Sequence, residues 1–473
     1  MSHQGPAHAP PMTSHNVHTT PSGHQVAMHN GRPSEIHSKD MSIRRGPGGM
    51  RRSVVERGGR TYSFNRAGYG HIRSGYRYGG RDYAVRRYYV GGAYYPRYYA
   101  SYGYRGVFFD AYAPAYYYNP YFYGWAYRPW AAPVVFAWGW GGNPWYGYYG
   151  GYFTPYPAYA APNLWLTDYI VAQTLQASYN ERIESARAAQ QQVDNAPPPQ
   201  QAVMTPEIKQ MIADEVQRQL AAENAEATAR QSARLPEPGA PPAPPAANYT
   251  GVGVMLEDNK NHVLLSNANI DVTTISGQEC SISQGDAIQI APGLGSEGET
   301  VNVKVLATTG KGCPANSVVT VSLQDVQEMI NHVRATLDTG LAEMQKSKGL
   351  PKAPSTVPTA TVQSEFAAAA PPADPNEAAE LKRLNDEATQ TEQAVLKETS
   401  YQDPNGGAAP AGGSAPLPAT APVTEELQPG MTVEQVIAMK GAPTGNTKFN
   451  GKQIVTYPGM KLTFVNGKLA DIQ

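Results

Sequence analysis

The sequence predicts a largely disordered, multi-segment chain. On it sit a small antiparallel β barrel or sandwich with a long helix and, at the C-terminus, a small α+β module built as one helix on a three-stranded meander. Three observations predict this. All six Trp lie between Trp125 and Trp165, and 28 of the 31 Tyr between Tyr62 and Tyr179, so the aromatic content belongs to one segment. The 41 Pro and 46 Gly punctuate most of the rest, leaving few stretches with enough apolar surface to offset the entropy of ordering. Clear apolar periodicity bounded by turn signals is concentrated in residues 249–346 and 429–473.

The net charge of −1 hides a dipolar chain. Residues 1–160 hold sixteen Arg and one Lys against five acids, a net of +12, which leaves −13 for the remainder. An Arg-dominated, Tyr-rich half suits anionic partners such as nucleic acid, lipid headgroups or acidic polysaccharide, and equally suits cation–π contact with its own tyrosines.

Residues 1–60 carry seven of the ten His with few large apolar residues and read as a disordered tail. The irregular His spacing, without Cys or acidic companions, gives no metal site. Residues 61–163 form a Gly/Tyr/Trp-rich low-complexity segment, whose stretch between Arg128 and Asp168 has no charge. Its prolines and glycine clusters rule against a transmembrane helix, because they would leave backbone groups unsatisfied in hydrocarbon. It reads as an adhesive in which rings, among them Trp125, Trp130, Trp138, Trp140 and Trp145, are spaced on a backbone too flexible to pack into one core.

Residues 164–234 read as two helices. Thr167 is the expected cap of the first; Thr205 caps the second, with Pro206 at its first position and Ile208, Met211, Ile212, Val216 and Leu220 as its stripe. Residues 235–248 are a Pro-rich linker. In residues 249–346, five or six short strands, the first at "GVGVML", alternate with Gly/Asn/Asp turns. A helix follows, with Val326, Met329, Ile330, Val333, Leu337, Leu341 and Met344 on one face and Ser322 with Asp325 as its cap. Residues 347–428 are an Ala/Pro-rich linker interrupted by an exposed helix at 376–398. Cys280 and Cys313 fall within the one small β domain; joined, they would place the chain in an oxidising compartment, while two free buried thiols are the alternative. The start, "MSHQGPAHAPPMTSHNVHTT", has no apolar stretch of the kind a signal peptide needs. Either the chain is cytoplasmic, or its true start lies upstream.

Gly293, Gly295 and Gly298 match G-x-G-x-x-G, but a strand follows where a dinucleotide site needs a helix N-terminus, so they are expected to form a turn. No catalytic residue, cofactor or metal is expected. At the C-terminus, Pro429-Gly430-Met431-Thr432, a helix through Val436 to a Gly441-x-Pro443 stop, Tyr457 and Phe464-Val465-Asn466-Gly467-Lys468 resemble the small-protein A/outer-membrane lipoprotein A family. That family includes the small lipoprotein subunit of the outer-membrane β-barrel assembly machinery. The resemblance covers about 45 residues and lacks the family's lipidated Cys and second helix; it implies docking in a bacterial envelope. In the residues themselves, Thr432 with Gln435 reads as a capping box, and Asn450-Gly451 and Asn466-Gly467 as hairpin turns.

Together these features lead to the expectation of a non-enzymatic cell-envelope protein acting in surface binding, adhesion or envelope assembly. It would be located in the periplasm, at the outer membrane or outside the cell. Its partners would be the envelope surface, polysaccharide or envelope proteins, with self-association through the aromatic segment. The alternative is a cytoplasmic RNA-binding protein using the Arg/Tyr/Gly-rich half.

Overall fold

The computed structural model describes residues 17–46, 50–90, 93–126, 128–188, 202–233, 251–310, 312–351 and 362–399. Towards the C-terminus it describes 436, 445–449, 452–457, 460–465 and 468–472. The expected linker at 235–248 and most of 400–444 lie outside the described residues. Two compact units result: Met1–Arg86 with Arg97–Gly407, and Arg87–Pro96 with Ala408–Gln473.

The first ten strands are β1 (Val17–Thr19), β2 (Gln25–His29), β3 (Arg32–His37), β4 (Met41–Arg45), β5 (Arg51–Arg57), β6 (Arg60–Asn65), β7 (Gly70–Tyr78), β8 (Arg81–Val90), β9 (Ala93–Tyr104) and β10 (Val107–Ala113). They form one sheet in strict chain order. The tail expected to be disordered through residue 60 is therefore ordered from Val17. The glycines that read as spacers serve as corners: Asn30–Gly31 and Gly58–Gly59 have φ of 49° and 73°, and 61° and 73°. Those values suit the two-residue type I′ turn that joins right-twisted strands.

Pairing registers sort this sheet into two faces. Met41, Val55, Tyr62 and Ile72 form one cross-strand row, and Ile36, Ile43, Ser53 and Phe64 the next. These rows are buried. The opposite face carries Ser42, Val54, Ser63 and His71 in one row and Glu56, Thr61 and Arg73 in another.

After β11 (Tyr116–Tyr117) come α1 (Pro120–Ala126), α2 (Pro144–Tyr149), α3 (Pro162–Ala188), α4 (Pro206–Ala233) and α5 (Val252–Glu257). Thr205 caps α4 through a 3.3 Å bond from Ile208 N. Thr167, expected as the cap of α3, lies a turn inside it and bonds back to Asn163 O (2.8 Å), because the helix starts at Pro162. "GVGVML", expected as a strand, is α5: Val252 N donates to Tyr102 Oη and Gln327 Oε1, tertiary partners that no local pattern reports.

A second sheet comprises β12 (His262–Leu265), β13 (Ile270–Thr274), β14 (Glu279–Ile282), β15 (Ala287–Ile290), β16 (Ser296–Glu297), β17 (Thr300–Ala307) and β18 (Val318–Ser322). It is antiparallel, ordered β12-β15-β17-β18-β13-β14, with β16 on β17. It is an open sheet and not a closed barrel, since among the described residues β12 and β14 have no mutual pairing. The Gly293, Gly295 and Gly298 run turns around β16, with φ of 86°, 83° and 52°. Next is α6 (Leu323–Lys346), capped by Ser322, which accepts from Asp325 N at 3.0 Å. Its buried face includes Val326, Met329, Ile330, Val333, Leu337, Leu341 and Met344.

The aromatic segment corrects expectation most. Trp145, Tyr149, Tyr152, Phe153, Tyr159 and Trp165 share one continuous core with α3, α4, α6 and the second sheet, including Ile288, Val303 and Val305. The segment packs because each ring has both an apolar body to bury and, for several, a polar tip that is met. Tyr152 Oη donates to Gly285 O (2.9 Å), and Tyr159 Oη to Asp168 Oδ2 (2.8 Å). Asp168 in turn pairs with Lys209 (2.8 Å).

The segment expected as linker contributes β19 (Val362–Gln363), which pairs with β11, then α7 (Glu365–Ala368) and α8 (Glu377–Glu398). The helix α8 is not exposed on all sides: Leu381, Leu384, Ala388 and Val395 are buried, and it packs on β3, β4, β5 and β6.

In the second unit, β20 (Gly445–Phe449), β21 (Lys452–Tyr457), β22 (Met460–Val465) and β23 (Lys468–Ile472) form a four-stranded meander, one strand more than expected. Phe449 pairs with Lys452 and Val465 with Lys468; the intervening Asn-Gly pairs lie outside the described residues. Of the expected helix only Val436 is described, and it is helical.

Candidate functional site

The arginines of the N-terminal sheet meet acids of the sheet itself and of the C-terminal half. On the apolar face, Glu392 of α8 is 2 % exposed and lies 2.7 Å from Arg45, 2.7 Å from Arg66 and 3.3 Å from Arg51. Arg57 pairs with Asp40 and Glu387, and Arg60 with Asp374 (3.0 Å). On the polar face, Arg44 bridges Glu35 (2.6 Å) and Asp325 (3.0 Å). Arg73 bonds Asp110 (2.6 Å), and Arg86 joins Asp110 to Glu328 (2.7 Å). Pairs to Glu392, Glu387, Asp374, Asp325 and Glu328 thus join the basic and acidic parts of the sequence within one folded unit.

What remains is a cleft of about 1190 Å³ over the polar face, lined also by Glu181 of α3, residues 267–273 and the start of α6. Burial, with Arg86 and Arg52 close by, holds the His71 imidazole well below its ordinary value, so it is neutral at pH 7. Burial raises the Glu181 carboxyl, against the pull of Arg52. Burial alone would raise Asp110 too, but Arg73 and Arg86 hold it well below the usual carboxylate range. Arg52 is exposed in this cleft. Among the described residues, neither it nor Arg77 makes an ion pair. Sequence reasoning missed this site; its signal was the alternation of Ser, Thr, His and Arg along β4–β7.

The tryptophans singled out from sequence lie elsewhere. Trp145 is 4 % exposed and part of the core, while Trp125, Trp130, Trp138 and Trp140 pack half-buried against it. Trp140, Trp138, Trp165 and Tyr169 stack in series at 4.3, 4.6 and 5.4 Å, so their faces are largely spent on one another. Cys280 and Cys313 are bonded, with Cα atoms 4.9 Å apart; Cys280 lies on β14, and Cys313 N donates to Ser281 O on the same strand. Of the histidines, His29 lies within 3.8 Å of Asp271 and Glu279. His262 bridges Glu215 (2.8 Å) and Asp258 (3.0 Å), and both environments are ion-pairing ones. Among the described residues no group of three His, Cys, Asp or Glu side chains is arranged to hold a metal ion. Among them, too, no helix is long and apolar enough to cross a membrane.

Comparison with known proteins gives no match: no family model, no curated protein and no solved structure is similar to this chain.

Proposed function

We propose that the chain is a non-enzymatic binding protein of a bacterial cell envelope, which engages an envelope partner through the polar cleft while the aromatic segment serves as its rigid support. The cleft carries this reading: it is large, concave and polar, and most of its titratable groups are committed to ion pairs that position rather than react. The Cys280–Cys313 bond supports an oxidising compartment. The C-terminal resemblance to an envelope lipoprotein family points the same way. The rival RNA reading needs cations tracking a phosphate backbone and free rings for stacking. Here Arg44, Arg45, Arg51, Arg57, Arg60, Arg73 and Arg86 face carboxylates instead.

Fractionation of the native host with thiol trapping tests the proposal. The expected result is recovery with the envelope and both cysteines protected from alkylation before reduction. Recovery in the cytosol with both thiols alkylatable would overturn it.

A further inference from the structure

The geometry points to an acidic polysaccharide of low charge density, laid along the strands β5–β7, as the ligand of the cleft. This deepens the binding reading above and rests on it. Among the described residues, two guanidinium groups there have no carboxylate within ion-pair distance: Arg52, which attracts Glu181 from further off, and Arg77, which donates to Gly80 O (3.0 Å). Arg52 faces Asn65 across β5 and β6, and Asn65 adjoins Phe64, the partner of Gly70 on β7. Arg77 stands seven residues beyond Gly70, so the two cations are about 25 Å apart along the strands at roughly 3.3 Å per residue. The cleft runs past both.

That spacing discriminates between polyanions. Each strand of a nucleic-acid duplex places a phosphate about every 3.4 Å of axis, so about seven phosphates per strand would cross a span holding two cations without ion pairs. They would also meet the carboxylates that line the same cleft, which include Glu35, Asp110, Glu181, Asp271, Asp325 and Glu328. A glycan with one carboxylate per two or more sugars meets far less repulsion.

The lining between the cations fits sugars. Ser42, Ser63, Thr61 and Ser101 provide hydroxyls; Asn267, Asn269 and Gln324 provide amides. Such groups can both donate to and accept from ring hydroxyls. Phe108, 57 % exposed and lining the cleft, offers an apolar face for the C–H side of a sugar ring. For base stacking the cleft is poor, because Tyr83 is already stacked on Phe366 at 4.8 Å and on Tyr76 at 5.8 Å.

Isothermal titration of the full chain with four polymers tests this: hyaluronan oligosaccharides, in which carboxylates alternate with neutral sugars; neutral dextran; densely charged polygalacturonate; and poly(U) RNA. Hyaluronan is expected to bind more tightly than the other three at equal salt. Arg52→Ala and Arg77→Ala are each expected to weaken it at least fivefold, with Arg52→Lys retaining most of the affinity. Arg105→Ala, whose guanidinium bonds Ser296 Oγ instead, should leave it unchanged. The inference is overturned if the wild-type chain binds no hyaluronan, if it prefers poly(U), polygalacturonate or dextran, or if the Arg52/Arg77 double alanine variant binds like wild type. The wild-type series decides even where a variant misfolds. A chain found in the envelope with its cysteines joined but blind to hyaluronan would sink this ligand class alone, leaving the broader reading in place.

Discussion

Asp338 sits where three carboxylates gather around Arg334, with Arg97 further off. Glu223 and Glu226 on α4 flank Arg334 of α6 at 3.7 and 3.1 Å, and Asp338 lies one turn further along α6. Its Oδ2 accepts from Tyr112 Oη (2.7 Å), while Oδ1 is enclosed without a hydrogen-bond partner. Burial pushes this carboxyl up, Tyr112, Arg334 and Arg97 oppose, and Glu226 adds to the rise. A carboxyl whose folded pKa exceeds its unfolded value takes up a proton on folding. Its contribution to stability is therefore intact below the unfolded value near pH 4 and is lost as pH climbs through the raised folded value. Asp338→Asn keeps an acceptor for Tyr112 and removes the charge. It is expected to stabilise the protein by about 1 to 3 kcal/mol at pH 8, with the gain vanishing by pH 4. Thermal melts of both proteins across that range check it, and a gain that persists at pH 4 would contradict the account.

At the scale of elements, α8 depends on Glu392. Glu392→Gln leaves Arg45, Arg51 and Arg66 without their shared carboxylate at a buried site, a change expected to cost about 3 to 5 kcal/mol in urea unfolding. Glu380→Gln on the same helix, paired to the half-exposed Arg383, should cost under about 0.5 kcal/mol. Equal losses would mean that α8 is held by its apolar stripe alone. These two residues also explain what could be read from sequence. The helix α6 was legible because its apolar spacing and the Ser322 cap are local, as was α4 from Thr205 and Pro206. The strands β2–β7 were not: their buried positions include Ser53, Arg45 and Arg51, and both arginines are met by Glu392, more than 300 residues away. Nor was the cleft legible, since it depends on which arginines stay unpaired, and pairing is a property of the folded chain.

For the whole molecule, the shared core has a measurable consequence. The tryptophans and the Cys280–Cys313 bond lie in or against the same hydrophobic cluster, although more than a hundred residues separate them in sequence. Tryptophan emission and susceptibility of the disulfide to reductant should therefore change at the same urea concentration, as a single cooperative transition requires. An aromatic segment that merely decorates the second sheet would lose its emission signature first.

The ten-stranded meander has one more consequence, in time rather than space. Each strand pairs with the one made just before it, so the sheet has the local connectivity that assembles quickly, and during synthesis it emerges well before α8. Its cover, α8, begins only at Glu377. Nascent chains are left with Ile36, Ile43, Val55 and Phe64 bare, and with Arg45 and Arg51 lacking Glu392, until more than 300 further residues have been made. A sheet that forms early and is covered late is thus the part of this fold that most needs a chaperone.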